Sequence, residues 1–205
     1  MRIKRTVAAA LLLPLLLLAL PVLAESPRVE ISSLAAMQRV KDAFAAAGVE
    51  VGDAPTMEQA AALQTLDLSS CGLTDVNFLS AFPGLTALDL SGNDLEDIGA
   101  LAGLTRLQTL DLSHNRVAAL GPLRGLTELT ALDLTNNLVA CAKPLQALPR
   151  LTVLSLADNR LTSVSDLAGM TALISLDVSV SPFTENYRMA TNHDEAFKRL
   201  GFRIS

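Results

Sequence analysis

An aspartate returns every 22 residues through the middle of this 205-residue chain, at Asp67, Asp89, Asp111, Asp133 and Asp177, with Ser155 in the fifth of the six places. If equivalent residues lie on neighbouring strands, the column is a ladder of carboxylates about 4.8 Å apart. Like charges at that spacing repel, by a few tenths of a kcal/mol or more per pair. A divalent cation, or the basic side chains of a partner, would relieve the repulsion. A second column varies instead: Ser70, Gly92, His114, Asn136 and Asp158, followed two residues on by Gly72, Asp94, Arg116, Leu138 and Arg160. Recognition of one partner needs such variety. The edge carrying His114, Arg116, Asn136, Asp158 and Arg160, together with the Asp column, is therefore the expected partner-binding surface.

Other reactive residues are sparse. There is no G-x-S-x-G elbow, no H-E-x-x-H, no phosphate-cradling glycine loop and no C-x-x-C pair. Neither His114 nor His193 has a nucleophile in its sequence neighbourhood. His193 stands beside Asp194 and Glu195 with no second His or Cys near it, which reads as an exposed helix start rather than a metal site. No catalytic residue, metal or cofactor is expected; a hydrolase with an unrecognised site is kept as an alternative.

The elements that must position these columns are written into the same period. Blocks open at Leu63, Leu85, Leu107, Leu129, Leu151 and Leu173, reading LQTLDLSSC, LTALDLSGN, LQTLDLSHN, LTALDLTNN, LTVLSLADN and LISLDVSVS. Within a block, Leu88-Asp89-Leu90-Ser91 alternates apolar with polar, the period of a short strand with one buried face. The apolar spacing then becomes three, as in Leu95, Ile98, Leu101 and Leu104, the period of a 3₁₀ helix. Each block is strand, turn and slim return arm, so successive strands run parallel in one sheet. A fixed period of this length marks a solenoid whose copies bury their apolar faces on one another.

These blocks resemble leucine-rich repeats of the 22-residue type found in bacterial internalins and in the regulatory subunit of eukaryotic protein phosphatase 1. The resemblance covers the six units of residues 63–181. It implies an α/β solenoid: a right-handed coil with a concave parallel sheet, a 3₁₀ or coil convex side, and protein binding as its use. It also supplies L-D-L-S as ordinary consensus, a reading of the Asp column as solvated and tolerated that weighs against both the cation and the basic-partner readings.

Asn93, Asn115, Asn137 and Asn159 follow each strand where the backbone turns into the coil, leaving amide and carbonyl groups without ladder partners. A buried carboxamide donates and accepts at once and can tie one turn to the next. Cys71 occupies that place in the first block and is expected to be a buried substitute. Cys71 and Cys141 sit three strand spacings apart, roughly 14 Å, twice what a disulfide spans. No intramolecular disulfide is expected.

The ends differ from the middle. Arg2, Lys4 and Arg5 precede an apolar run from Val7 to Leu20 and a small-residue site at Val22-Leu23-Ala24, which reads as a secretory signal peptide over residues 1–24, cleaved after Ala24. The mature chain is then secreted or periplasmic and free of the membrane. Its balance is 13 basic against 21 acidic residues, a net charge of −8, which disfavours binding to nucleic acid. Residues 25–62 read as a helical cap: Ser33 can start a helix through Leu34, Met37, Val40, Lys41 and Phe44 to Gly48, and a shorter one fits Met57 to Leu63. Residues 182–205 read as a second cap, with Asn192 starting a helix over His193–Leu200 and with Phe183, Tyr187, Phe197 and Phe202 sealing the last layer. The expectation is a monomeric, non-catalytic module that binds a protein partner, with a cation-responsive structural module as a further alternative.

Overall fold

The computed structural model describes residues 27–179. The signal segment and the C-terminal cap expected at 182–205 lie outside the described residues. Within them, two helices, α1 (Leu34–Ala46) and α2 (Met57–Ala62), precede six three-residue strands: β1 (Thr65–Asp67), β2 (Ala87–Asp89), β3 (Thr109–Asp111), β4 (Ala131–Asp133), β5 (Val153–Ser155) and β6 (Ser175–Asp177).

All six strands are parallel and lie in sequence order, each shifted from the last by one 22-residue block: Leu66 pairs with Leu88, Leu88 with Leu110, and so on to Leu176. The sheet is open, a solenoid rather than a barrel. The period-two pattern sends Leu66, Leu88, Leu110, Leu132 and Leu154 inward, and Leu68, Leu90, Leu112, Leu134 and Leu156 follow them into the core. Each is worth about 1.5–3 kcal/mol of burial, and no single layer could hide its leucines without the next.

The spacing of three resolves into short 3₁₀ turns at Asn77–Ala81, Gly99–Gly103, Gly121–Gly125, Lys143–Ala147 and Ser165–Leu167. Each points one leucine inward, Leu79, Leu101, Leu123, Leu145 and Leu167. Pro122 and Pro144 sit in the first turn, where a missing amide costs nothing. The rest of each return arm is irregular.

The N-terminal cap forms as its residues dictate, with small differences. Ser33 accepts from the Ala36 amide at 3.2 Å and starts α1. The helix ends at Ala46, two residues before Gly48, whose φ of +73° turns the chain away. Its buried stripe is Ala36, Val40 and Phe44, every fourth residue, while Leu34 is 86% exposed and Met37 half-buried. Thr56 and Gln59 close a reciprocal capping box on α2, which stops at Ala62 because Leu63 takes an extended conformation to enter the sheet. Among the described residues, no helix is long and apolar enough to cross a membrane.

Candidate binding face

The register sets Asp67, Asp89, Asp111 and Asp133 side by side, with Ser155 and Asp177 completing the row. Each aspartate has a backbone task that the sequence alone did not reveal. Asp67 Oδ1 accepts from the Ser69 amide, Asp89 from Ser91, Asp111 from Ser113 and Asp133 from Thr135, all at 2.8 Å, and Asp177 accepts from Ser179 at 2.9 Å. The aspartate thus closes the strand end by holding the amide two residues on. At the fifth rung Ser155 Oγ meets Thr135 Oγ1 at 2.6 Å.

Helix α1 packs along β1 and places Arg39 over the first rung, with Nη1 3.1 Å from Asp67 Oδ2. The Ser69 hydroxyl and amide, helped by the Arg39 guanidinium, hold the Asp67 carboxyl below the usual carboxylate range. A lowered value means the stabilisation is present above the ordinary range near 4 and is lost as pH falls through Asp67's own value. Asp67→Asn keeps the Oδ1 acceptor and removes the charge. The difference in unfolding free energy between wild type and this variant should therefore shrink as urea titrations move from pH 6 into the acid range; a constant difference would show that the charge contributes nothing.

Together α1 and the sheet enclose an open groove of about 660 Å³. Its wall is Arg39, Asp42 and Ala43; its floor is the columns Thr65, Ala87, Thr109, Ala131, Val153 and Asp67, Asp89, Asp111, Asp133, Ser155, with Leu66, Leu88, Leu110 and Leu132 beneath. Of the surface expected from sequence, the groove gathers four aspartates and leaves out Asp177, His114, Arg116, Asn136, Asp158 and Arg160. Arg39 and Asp42 were not anticipated: the helical pattern puts both beside the buried stripe but does not say which flank faces the sheet.

The strand-exit column has a conformational cause. Ser70, His114, Asn136 and Asp158 have φ of 53°, 56°, 54° and 52°, and Gly92 has φ of 67°. This left-handed region favours Gly, Asn and Asp and resists branched side chains, which accounts for much of the variety. His114 Nδ1 lies 3.0 Å from Asn136 Nδ2, which joins two successive turns of the column. Arg116 pairs with Asp94 at 3.2 Å and stands 3.9 Å from Glu96; Asp158 and Arg160 are exposed. His114→Val should cost roughly 1–2 kcal/mol more than His114→Gly, read as a difference between urea midpoints; equal midpoints would mean the turn bears no strain.

Behind the face, the asparagine ladder stiffens the coil. Asn137 Oδ1 accepts from Val117 N at 2.8 Å, while its Nδ2 donates to Leu112 O at 2.8 Å and Leu134 O at 3.1 Å. Asn93, Asn115 and Asn159 repeat this, each tying its own turn to the preceding coil. Cys71 is half-buried rather than buried, because the first block has no earlier repeat to cover it; its Sγ lies 3.5 Å from Ser69 O and burial pushes the thiol up. Cys71 and Cys141 are free thiols, and Cys141 is exposed. Among the described residues, no three His, Cys, Asp or Glu side chains are grouped to hold a metal ion.

A family model described as leucine rich repeat matches residues 60–117, and one described as two copies of leucine rich repeats matches residues 105–147. The internalin inlF from Listeria monocytogenes is similar in structure, with a TM-score of 0.68 and 24% identity over 78% of this chain and 47% of that one. The functional domain of InlJ from the same species, which includes a cysteine ladder, has a TM-score of 0.56 and 30% identity over 67% of this chain and 30% of that one. A leucine-rich-repeat protein from Leptospira interrogans has a TM-score of 0.55 and 26% identity over 65% of this chain and 36% of that one. The chain therefore spans less than half the length of each of these three. No curated protein matches it.

Proposed function

Because this chain is a leucine-rich-repeat protein with the fold of the bacterial internalins, we propose that it is a non-catalytic protein-binding module whose partner seats in the groove between α1 and the sheet. The observation that carries this reading is the character of that groove. Its floor is set by backbone ladders and buried asparagines, and its side chains are short, so little conformational freedom is lost when a partner docks. The strand-exit edge becomes the rim: its backbone is set by left-handed turns, and its Arg116 side chain is engaged by Asp94 and Glu96 of the chain itself.

The same reading places the protein outside the cytoplasm as a monomer after removal of residues 1–24, on the basic start, apolar run and Ala24 site of the sequence. Sequencing the N-terminus of the protein recovered from that compartment tests this, with Glu25 as the expected first residue.

Filling the groove tests the binding reading. Crosslinking capture from the native extracytoplasmic fraction, with wild type beside Ala131→Trp, should yield a partner that the variant loses. Circular dichroism checks the fold, and Thr109→Trp, at an exposed position, gives the same comparison if Ala131→Trp disturbs it. Equal capture by wild type and both variants would remove the groove from the account.

A further inference from the structure

Resting on that reading, we propose that the groove takes a basic partner segment, one whose Lys or Arg side chains are laid singly onto the aspartate rungs. Charge complementarity is the first argument. Five carboxylates line the groove, from Asp42, Asp67, Asp89, Asp111 and Asp133, against the single cation Arg39. Among the described residues, the ion pairs are Arg39 with Asp67, Arg116 with Asp94 and Glu96, and Arg150 with Glu128. Among the described residues, no basic residue reaches Asp89, Asp111 or Asp133, yet all three are half-buried, where a carboxylate is less screened than in open water.

Arg39 is the second argument. It belongs to α1, not to the repeats, and it shows how a long cationic side chain meets a rung: with Oδ1 held by the Ser69 amide, the guanidinium contacts Oδ2 at 3.1 Å. The next three rungs have the same held Oδ1. Their neighbours are short, Ala87, Thr109 and Ala131 on one side and Ser91, Ser113 and Thr135 on the other, so nothing bars the descent of a partner's side chain. Because one oxygen of each rung is already committed, the contact is single rather than a two-pronged Arg fork. Lysine therefore serves as well as arginine.

The probe is an eight-residue oligolysine peptide, titrated calorimetrically into the purified chain at low salt beside an oligoarginine of equal length. Similar affinities are expected for the two. The triple variant Asp89→Asn, Asp111→Asn, Asp133→Asn keeps each Oδ1 acceptor and should weaken binding about ten-fold. Arg39→Gln frees Asp67 and should strengthen it about two-fold. A control triple, Asp94→Asn, Glu96→Gln, Asp97→Asn, removes the same charge away from the groove and should leave binding unchanged. Equal losses in the two triples would reduce the effect to net charge and overturn the proposal, as would a groove triple that binds like wild type. The two readings also fail separately: a captured partner lost on Ala131→Trp but retained by the groove triple leaves the binding face standing and removes its basic occupant.

Discussion

Replacing Asn137 with alanine is expected to lower the melting temperature by about 10 °C. The side chain is 4% exposed and serves four backbone groups in two different coils: the amide of Val117 and the carbonyls of Leu112, Leu134 and Thr135. Alanine orphans the Val117 amide inside the leucine core and takes one donor from each carbonyl, of which Leu112 O keeps Asn115 Nδ2, Leu134 O keeps Asn159 Nδ2 and Thr135 O keeps the His114 amide. The orphaned amide costs about 1–3 kcal/mol and each hydrogen bond lost at a carbonyl about 0.5–1.5 kcal/mol, and in a chain of this size each kcal/mol moves the melting temperature by roughly 2–4 °C. The neighbouring Asn136 is the internal comparison, because it is exposed, contacts only the His114 ring and sits at φ of 54°. Asn136→Gly should melt within a few degrees of wild type. Scanning calorimetry on the two variants decides the matter; an Asn137→Ala melt as high as that of Asn136→Gly would mean the coil does not depend on its carboxamide ladder.

A comparable loss is expected from Gly84→Ala. A methyl group there would lie 2.2 Å from Ala61 O and 3.1 Å from Leu63 O, both backbone atoms at the end of α2. The same place in later blocks holds Arg106, Glu128 and Arg150, because no helix lies over those coils. Glycine at 84 lets the cap close on the first repeat. Overpacking of this kind costs about 1–3 kcal/mol when side chains can adjust, and here neither contact is a side chain, so the cost should reach or pass the upper end. Hydrogen exchange should report faster opening of Met57–Ala62 in the variant. Gly103→Ala, where an added methyl meets nothing within 4 Å, should leave exchange and melting unchanged. If both variants behave alike, the cap is not seated on Gly84.

What the sequence disclosed follows from how local each signal is. The strand register, the six leucine layers and the 3₁₀ return arms were legible because each is repeated and each depends on a spacing of two or three. The carboxamide ladder was legible for a similar reason: one residue type recurring where backbone groups lack partners. The groove was not, because it arises between two unlike elements. Arg39 and Asp67 are 28 residues apart and meet only through the angle at which α1 crosses β1, which no periodicity encodes. The conformational side of the strand-exit column was hidden because Ser70, His114, Asn136 and Asp158 look unrelated as side chains and become alike only as backbone conformations. Cys71 was expected buried by analogy with the asparagines, yet the first coil lacks the neighbour that would bury it.

The claim on which the account turns is that a partner contacts the sheet face. Photoreactive benzophenone side chains placed one at a time at Thr109, on the groove floor, and at Ala102 and Arg124, exposed on the return arms, test it most directly. Irradiation in the native extracytoplasmic fraction should join the partner to the chain from Thr109 and from neither return-arm position. Crosslinks from Ala102 or Arg124 without any from Thr109 would place recognition on the opposite side of the coil and contradict the account.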